Sequence, residues 1–230
     1  MGAVGLLYVG AVLFVNGLSL VGWVKGKSLV PMDLFVGLLQ VATPLYLIIS
    51  ANGNQAQIVG ASGLFLFGFT YLYVAMTNQF NYDPTGLGWF CLFVVFAAVT
   101  YSVWNFTHSG ALGPVAAAAH NKNAEGDLLG VLWGSWAVLW FLFWVVLSLG
   151  KEGFTKFTGA WCAAQGIYTG LVPALFLLNI PSGITKTFWI AIAAVSVATF
   201  VGFWALLRPS LGVGAPASAS ASASASAGAY

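Results

Sequence analysis

Seven long apolar runs constrain this chain more than any other feature of its sequence. They cover about residues 3–24, 32–50, 58–77, 87–104, 128–149, 157–178 and 187–207. A helix that crosses a membrane needs about 20 apolar residues, because it rises about 1.5 Å per residue through a hydrocarbon core about 30 Å thick. Each run is close to this length and is bounded by glycine, proline, asparagine or charged residues. The sequence therefore predicts an all-α integral membrane protein.

The composition agrees with a chain that lies almost entirely in a membrane. Of its 230 residues, 60% are hydrophobic and only 5% are charged, whereas soluble domains contain about 25% charged residues. The connections between the runs are too short to hold a large soluble domain. The net charge of +2 is too small to indicate nucleic-acid binding.

All acidic residues are predicted to lie in connections or at the edges of spans. They are Asp33, Asp83, Glu125, Asp127 and Glu152. Proton-coupled transporters, pumps and voltage sensors need ionisable groups inside the membrane, and the spans offer none. The last span also has no interior lysine that could hold retinal as a Schiff base. These observations favour either a path for a small neutral solute or a purely structural protein.

Catalytic and cofactor chemistry is not indicated. No His, Asp, Glu or Lys is predicted at a membrane-buried position where it could act as an acid, a base or a nucleophile. The sequence contains no phosphate-binding loop, nucleotide fingerprint or cluster of metal ligands. We therefore expect neither an enzyme nor a bound cofactor or metal.

Several uncharged hydrogen-bonding residues lie inside the runs. They are Asn16, Gln40, Thr43, Thr70, Tyr71, Ser135, Gln165, Tyr168 and Thr169. Most are expected to make hydrogen bonds between helices. The amides of Asn16 and Gln165 are stronger candidates for solute contact, because an amide in hydrocarbon is costly without several partners.

The fifth run carries a stripe of tryptophans. Trp133, Trp136, Trp140 and Trp144 are spaced three, four and four residues apart, which places them on one side of a helix. One interpretation is contact with lipid or with neighbouring helices. The other is a narrow slot whose flat aromatic walls accept a planar neutral amide and exclude hydrated ions. Glycines in the first run, including Gly10 and Gly17, predict close helix packing and hence a narrow lumen.

The placement of basic residues favours an N-terminus outside and a C-terminus in the cytoplasm. With that orientation the cytoplasmic side holds five basic residues and the outer side holds Lys122 and Lys186. The five are Lys25, Lys27, Lys151, Lys156 and Arg208.

The longest connection, about 105–127, contains both histidines. His108 and His120, with Glu125 and Asp127, could form a pH sensor. A solvated loop with incidental histidines explains the same residues and is the simpler interpretation. From Ala215 onward, alternating alanine and serine predict a disordered tail.

Four segments resemble the AmiS/UreI family of urea channels and short-chain amide transporters. The first is Leu6-Leu7-Tyr8-Val9-Gly10 followed by Asn16-Gly17, and the second is Phe67-Gly68-Phe69-Thr70-Tyr71-Leu72-Tyr73. The third is Glu125-Gly126-Asp127 leading into Trp133, Trp136, Leu139 and Trp140, and the fourth is Lys156-Phe157-Thr158 leading into Gly166 and Pro173. The resemblance covers about residues 1–178.

The resemblance implies a channel for urea or short aliphatic amides in the bacterial inner membrane. It implies a bundle of six transmembrane helices, built from three two-helix hairpins, and a hexameric ring of such bundles. Residues 1–178 would form this bundle, 179–207 an additional helix and 208–230 the Ala/Ser-rich tail.

The resemblance also assigns residues to the pore. The constriction and selectivity residues would be Leu6, Val9, Leu13, Asn16, Phe67, Tyr71, Trp136, Leu139, Trp140 and Gln165. The aromatic and leucine side chains would filter, and Tyr71, Asn16 and Gln165 would form hydrogen bonds with the solute.

Two departures from the acid-activated urea channel argue against acid gating. The position of that channel's pore glutamate is Gln165 here, which cannot titrate, and the connection near 50–58 is short and lacks histidine and acid. A channel for another neutral solute, such as ammonia or water, and a scaffold that transports nothing remain as alternatives.

Overall fold

The structure, a computed structural model, describes residues 2–107, 122–179 and 184–210. In these residues seven segments, named spans 1 to 7 in chain order, are helical, long and apolar enough to cross a membrane. They are Gly2–Val21, Gly26–Ser50, Gln55–Phe80, Thr85–Thr107, Ala124–Leu147, Glu152–Asn179 and Lys186–Leu207. The helix of span 5 begins slightly earlier, at Lys122. The prediction of an all-α membrane protein with six core helices and a seventh is confirmed.

The core helices pack most extensively as three pairs. Span 2 pairs with span 3 and span 4 pairs with span 5, and each of these pairs is a hairpin of consecutive helices. The third pair consists of span 1 and span 6, which are far apart in the chain. The bundle therefore has two hairpins of consecutive helices, and the packing of its first helix on its sixth takes the place of the third hairpin that the resemblance implies.

Glycines allow the backbones of span 1 and span 6 to touch. A Cβ added at Gly10 would lie 2.6 Å from the carbonyl oxygen of Gly166 and 2.7 Å from the amide nitrogen of Leu171. A Cβ added at Gly17 would lie 2.6 Å from the carbonyl oxygen of Gly159. Small residues on facing helices allow this close approach, as predicted for Gly10 and Gly17.

Two spans are not uniform α-helices. Span 3 consists of Gln55–Ser62 and Leu64–Phe80, which meet at Gly63. Span 6 begins with the 3₁₀ turn Glu152–Phe154 and continues as Thr155–Gln165, the π-helical segment Gly166–Leu171 and Val172–Asn179. Pro173 follows the π segment, and its missing N–H favours a change of hydrogen-bond pattern at this point.

Span 7 packs on the outside of the bundle against spans 5 and 6. Ser135 donates a hydrogen bond to Ser196 across 3.0 Å, and Phe200 lies edge-on to Trp161 with ring centroids 4.9 Å apart. Most of its surface remains uncovered. Span 7 is therefore an addition to a core that the other six spans complete.

One prediction about charge is wrong. The apolar pattern placed the start of the second span near residue 32 and Asp33 at its edge, but the helix begins at Gly26 and Pro31 lies within it. Asp33 thus lies two turns inside the span and is fully buried. The spans therefore do contain a buried ionisable side chain, and the exclusion of proton-coupled transporters that rested on its absence no longer holds.

Candidate functional site

A cavity of about 610 Å³ lies among the core helices. Its walls come from spans 1 to 6, and it reaches the end of the bundle where span 1 connects to span 2 and span 3 connects to span 4. Its residues belong to the halves of spans 1, 3 and 5 that lie nearest to this end. The cavity therefore occupies one half of the bundle and leads inward from the end that carries the first and third connections.

Seven of the ten predicted pore residues line this cavity. They are Leu13, Asn16, Phe67, Tyr71, Trp136, Leu139 and Trp140. They come from spans 1, 3 and 5, so side chains far apart in the sequence meet at one cavity.

Aromatic rings form the inner end of the cavity. The ring of Phe67 lies with its centroid 4.8 Å from that of Trp136, edge-on, and 4.8 Å from that of Trp140. Trp133 continues the cluster, 5.4 Å from Trp136, and stacks on Tyr101 at 4.7 Å. Trp133, Trp136 and Trp140 are buried inside the bundle. The interpretation of these tryptophans as lipid-facing side chains is thereby excluded.

A hydrogen bond from span 5 to span 6 fixes the orientation of Trp136. Its indole N–H donates to the hydroxyl of Thr169 across 3.0 Å, and that hydroxyl donates to the carbonyl oxygen of Gln165 at 2.6 Å. Both acceptors lie at the π-helical segment of span 6. Thr169 was expected only to join helices, and the structure shows that it holds a cavity-lining tryptophan in place.

Leu6, Val9 and Gln165 do not line this cavity. Leu6 and Val9 lie nearer the other end of span 1, and both pack in the core. Gln165 is fully buried, and its side-chain amide donates to the carbonyl oxygen of Ser135 at 3.3 Å. Seven of the ten predicted residues therefore line the cavity, and the other three lie outside its wall.

The polar groups of the cavity wall are uncharged, except for Lys27 at its outer end. Ser19, Thr77, Asn78 and Asn81 lie in this outer part. Deeper in, Asn16 and Tyr71 offer an amide and a phenol. The cavity can therefore hydrogen-bond a neutral polar solute while its inner end remains aromatic.

Asp33 is the main residue that sequence reasoning missed at this site. Its carboxyl accepts a hydrogen bond from the side-chain amide of Asn16 across 2.7 Å, and its other oxygen is buried without a partner in the described part of the protein. The sequence did contain a signal for Asp33, because an acid within a long apolar run is uncommon and often functional. The predicted run begins at about residue 32, so its bounds placed Asp33 at the edge of the span.

The residues considered for pH sensing are described only in part. His108 and His120 lie outside the described residues, as does the tail from residue 211 onward. Glu125 and Asp127 lie in the first two turns of the helix Lys122–Leu147. Among the described residues, no group of three or more His, Cys, Asp or Glu side chains could hold a metal ion.

Comparisons with known proteins agree with this architecture. Residues 1–180 match the model of the AmiS/UreI family of transporters. The chain is 47% identical over 179 residues to the transporter protein AmiS2 of Rhodococcus erythropolis, covering 78% of this chain and 80% of that protein. It is 44% identical over 180 residues to an amidate substrates transporter protein of Mycolicibacterium smegmatis, covering 78% and 77% of the two chains.

A solved structure shows the same fold. The Helicobacter pylori urea channel, determined by cryo-EM in a closed state, superposes with a TM-score of 0.66 at 32% identity, over 77% of this chain and 97% of that chain. The family match ends at residue 180, before span 7 begins. The four sequence motifs, the six-helix core and these likenesses lead to one conclusion: the chain belongs to the AmiS/UreI family of transporters.

Proposed function

We propose that this protein is a passive channel for urea or short aliphatic amides. The observation that carries the proposal is the cavity, with its uncharged hydrogen-bonding groups in the deeper wall and its aromatic inner end. The names of its relatives, an amidate substrates transporter protein and a urea channel, support the same class of solute. Because these relatives are transporters and channels, we propose no catalytic activity and no cofactor.

The physical task of such a channel is to replace lost hydration. An amide that enters bare hydrocarbon loses its hydrogen bonds to water at a cost of several kcal/mol. Asn16 and Tyr71 would restore part of this loss, while the aromatic rings near Phe67 keep the path too narrow for hydrated ions. Binding must stay weak, since a site that holds its solute tightly also slows its release.

The ten predicted residues would act in sequence along the path. From the cavity, a solute would pass the aromatic rings of Phe67, Trp136 and Trp140 and then reach Leu6 and Val9 in the other half of span 1. Gln165 would act near the π segment of span 6, where it is buried beside Ser135.

We propose that acid does not open this channel. Gln165 cannot titrate, and only four residues, 51–54, separate the helices of spans 2 and 3. Those residues include neither an acid nor a histidine. A pH sensor formed by His108, His120, Glu125 and Asp127 is the competing hypothesis, and it predicts flux only in acid.

The oligomeric state, the membrane and the orientation of the channel are also part of the proposal. The family resemblance supports a hexameric ring in a bacterial inner membrane, and the excess of basic residues supports an N-terminus outside. With this orientation the cavity would open toward the cytoplasm, because the first and third connections lie there.

Solute flux into proteoliposomes tests the function. Stopped-flow light scattering would compare urea and acetamide at neutral and acidic pH with protein-free liposomes. We expect flux above the control at neutral pH that changes little in acid. Equal rates with and without protein would contradict the channel and favour a scaffold, while flux of water or ammonia alone would favour the other neutral solutes.

Replacement of the tryptophans tests the aromatic filter. Trp136→Ala and Trp140→Ala should each change the ratio of urea to acetamide permeability, because each removes a ring from the inner end of the cavity. Trp23→Ala is the matched control, since Trp23 is 79% exposed and lies outside the cavity wall. Unchanged ratios in both cavity variants would contradict the filter.

A further inference from the structure

The hydrogen-bonded pair of Asn16 and Asp33 determines which atoms the cavity wall presents to a solute. Asn16 lies on span 1 and lines the cavity, while Asp33 lies behind it on span 2, fully buried. A role for Asp33 at this site rests on the proposed passage of amides, and neither the family resemblance nor the relatives assign this residue a role.

Both amide hydrogens of Asn16 are used within the protein. The side-chain nitrogen donates to the carbonyl oxygen of Val12 at 3.0 Å and to a carboxyl oxygen of Asp33 at 2.7 Å. A side-chain amide has two N–H donors and one oxygen that accepts. Because both neighbours of the nitrogen are acceptors, chemistry fixes the orientation of the amide.

The oxygen of Asn16 is therefore the atom left for a solute. Among the described residues no group donates a hydrogen bond to it, and the side chain is only half-buried on the cavity wall. Tyr71 lines the same cavity, and its hydroxyl has no hydrogen-bond partner among the described residues. The wall thus presents an acceptor and a donor to a molecule that carries both N–H and C=O.

We propose that Asp33 is a positioning residue that holds the Asn16 amide with its oxygen toward the lumen and so selects solutes with N–H donors. Asp33 does not touch the solute. It acts through Asn16, because the amide could otherwise turn and present its N–H groups, which reject an N–H donor. A carboxyl with one oxygen on Asn16 does this better than an amide at position 33, which could itself donate to the Asn16 oxygen.

Two solutes with the same number of heavy atoms separate positioning from simple packing, because the variants are compared by the change in their permeability ratio. Acetamide and dimethyl sulfoxide each have four heavy atoms and accept hydrogen bonds, but only acetamide has N–H donors. Their permeabilities would be measured in proteoliposomes of the full chain and of the variants Asp33→Leu and Asp33→Asn. Asp83→Asn is the matched control, because Asp83 is an exposed acid that lies outside the spans and is not among the cavity-lining residues.

We expect the ratio of acetamide to dimethyl sulfoxide permeability to fall about fivefold in Asp33→Leu, as the loss of about one hydrogen bond implies. It should fall by a smaller factor in Asp33→Asn and stay constant in Asp83→Asn. If Asp33→Leu does not fold, Asp33→Asn decides alone. An unchanged ratio, or an equal fall for both solutes, would overturn the inference.

The same experiment distinguishes this inference from the proposed function. If the unmodified protein carries no acetamide above the liposome control, the proposed function fails. If it carries acetamide but the ratio does not respond to position 33, the function stands and the positioning role of Asp33 is wrong.

Discussion

Span 6 contacts span 1 and span 7 through two very different interfaces. Toward span 1 the backbones themselves touch, through Gly10 and Gly17 on one helix and Gly159 and Gly166 on the other. Toward span 7 large rings meet edge-on, as Trp161 does with Phe200, and hydroxyl groups add single contacts. In the most apolar 18-residue stretch of span 6, 56% of residues are buried, whereas in that of span 7 only 11% are buried. Only the interface with span 1 therefore belongs to the core.

The difference separates an interface that shapes the cavity from an interface that does not. Span 1 carries Leu13 and Asn16 into the cavity wall, so its distance from span 6 affects the cavity directly. No residue of span 7 lines the cavity in the described part of the chain. The two interfaces should therefore respond very differently to mutation.

The largest effect is expected where a methyl group enters the first interface. In Gly17→Ala the new Cβ would lie 2.6 Å from the carbonyl oxygen of Gly159 and closer still to the amide nitrogen of Ala163. Since backbone cannot give way as a flexible side chain can, we expect a loss of about 3 kcal/mol and little folded protein. Thermal unfolding in detergent and flux in proteoliposomes would measure this.

Gly202→Ala on span 7 is the matched control for that variant. A Cβ at Gly202 would meet nothing within 4 Å, so its flux should equal that of the unmodified protein and its stability should be equal or slightly higher, because alanine favours a helix over glycine. Similar losses of stability and flux in Gly17→Ala and Gly202→Ala would contradict the proposed difference between the two interfaces.

Removal of span 7 should have a smaller effect on transport. A chain that ends after Asn179 keeps all cavity residues, because those come from spans 1 to 6. We expect its urea flux per protein to stay within about twofold of the full chain, since lipid can cover the exposed rings of span 6 as span 7 does. A complete loss of flux in a folded, membrane-inserted protein would show that span 7 belongs to the channel.

The loss of a single contact of span 7 should have a smaller effect than the removal of the whole span. Ser196→Ala removes the acceptor for the hydroxyl of Ser135, and hydrogen bonds between helices in membranes average about 0.6 kcal/mol. We expect a barely measurable decrease in the unfolding temperature. A decrease as large as that of Gly17→Ala would indicate that span 7 is part of the core.

The smallest effect concerns a connection outside both interfaces. Thr85 donates its hydroxyl and its backbone N–H to Asp83, and these hydrogen bonds hold the pKa of Asp83 below its ordinary value of 3.8. A lowered pKa in the folded state contributes stability above that ordinary value, and the contribution disappears as the pH falls below it. The small difference in unfolding temperature between the protein and Asp83→Ala should therefore be present at neutral pH and vanish in strong acid. A difference that grows in acid would contradict this sign.

Much of the cavity wall could be predicted from the sequence, through the motifs of the family. Seven of the ten predicted pore residues line the cavity, and the stripe of Trp133, Trp136 and Trp140 faces inward. The spacing of these residues already placed them on one side of a helix. Spacing could not tell which side faced the lumen, because a helix periodicity is the same whether its apolar side meets lipid or protein.

The sequence by itself determined the seven spans, the all-α class, the close packing at Gly10 and Gly17 and the family, because hydropathy, small residues and motifs are local properties. The tertiary structure alone decided that Asp33 is buried against Asn16, that Thr169 holds Trp136 and that Gln165 lies beside the cavity. Each of these contacts joins residues on different helices, and the energetic reason lies in hydrogen bonds between groups far apart in the chain. No local sequence pattern predicts such a hydrogen bond, so it can be identified only from the packed arrangement of the helices.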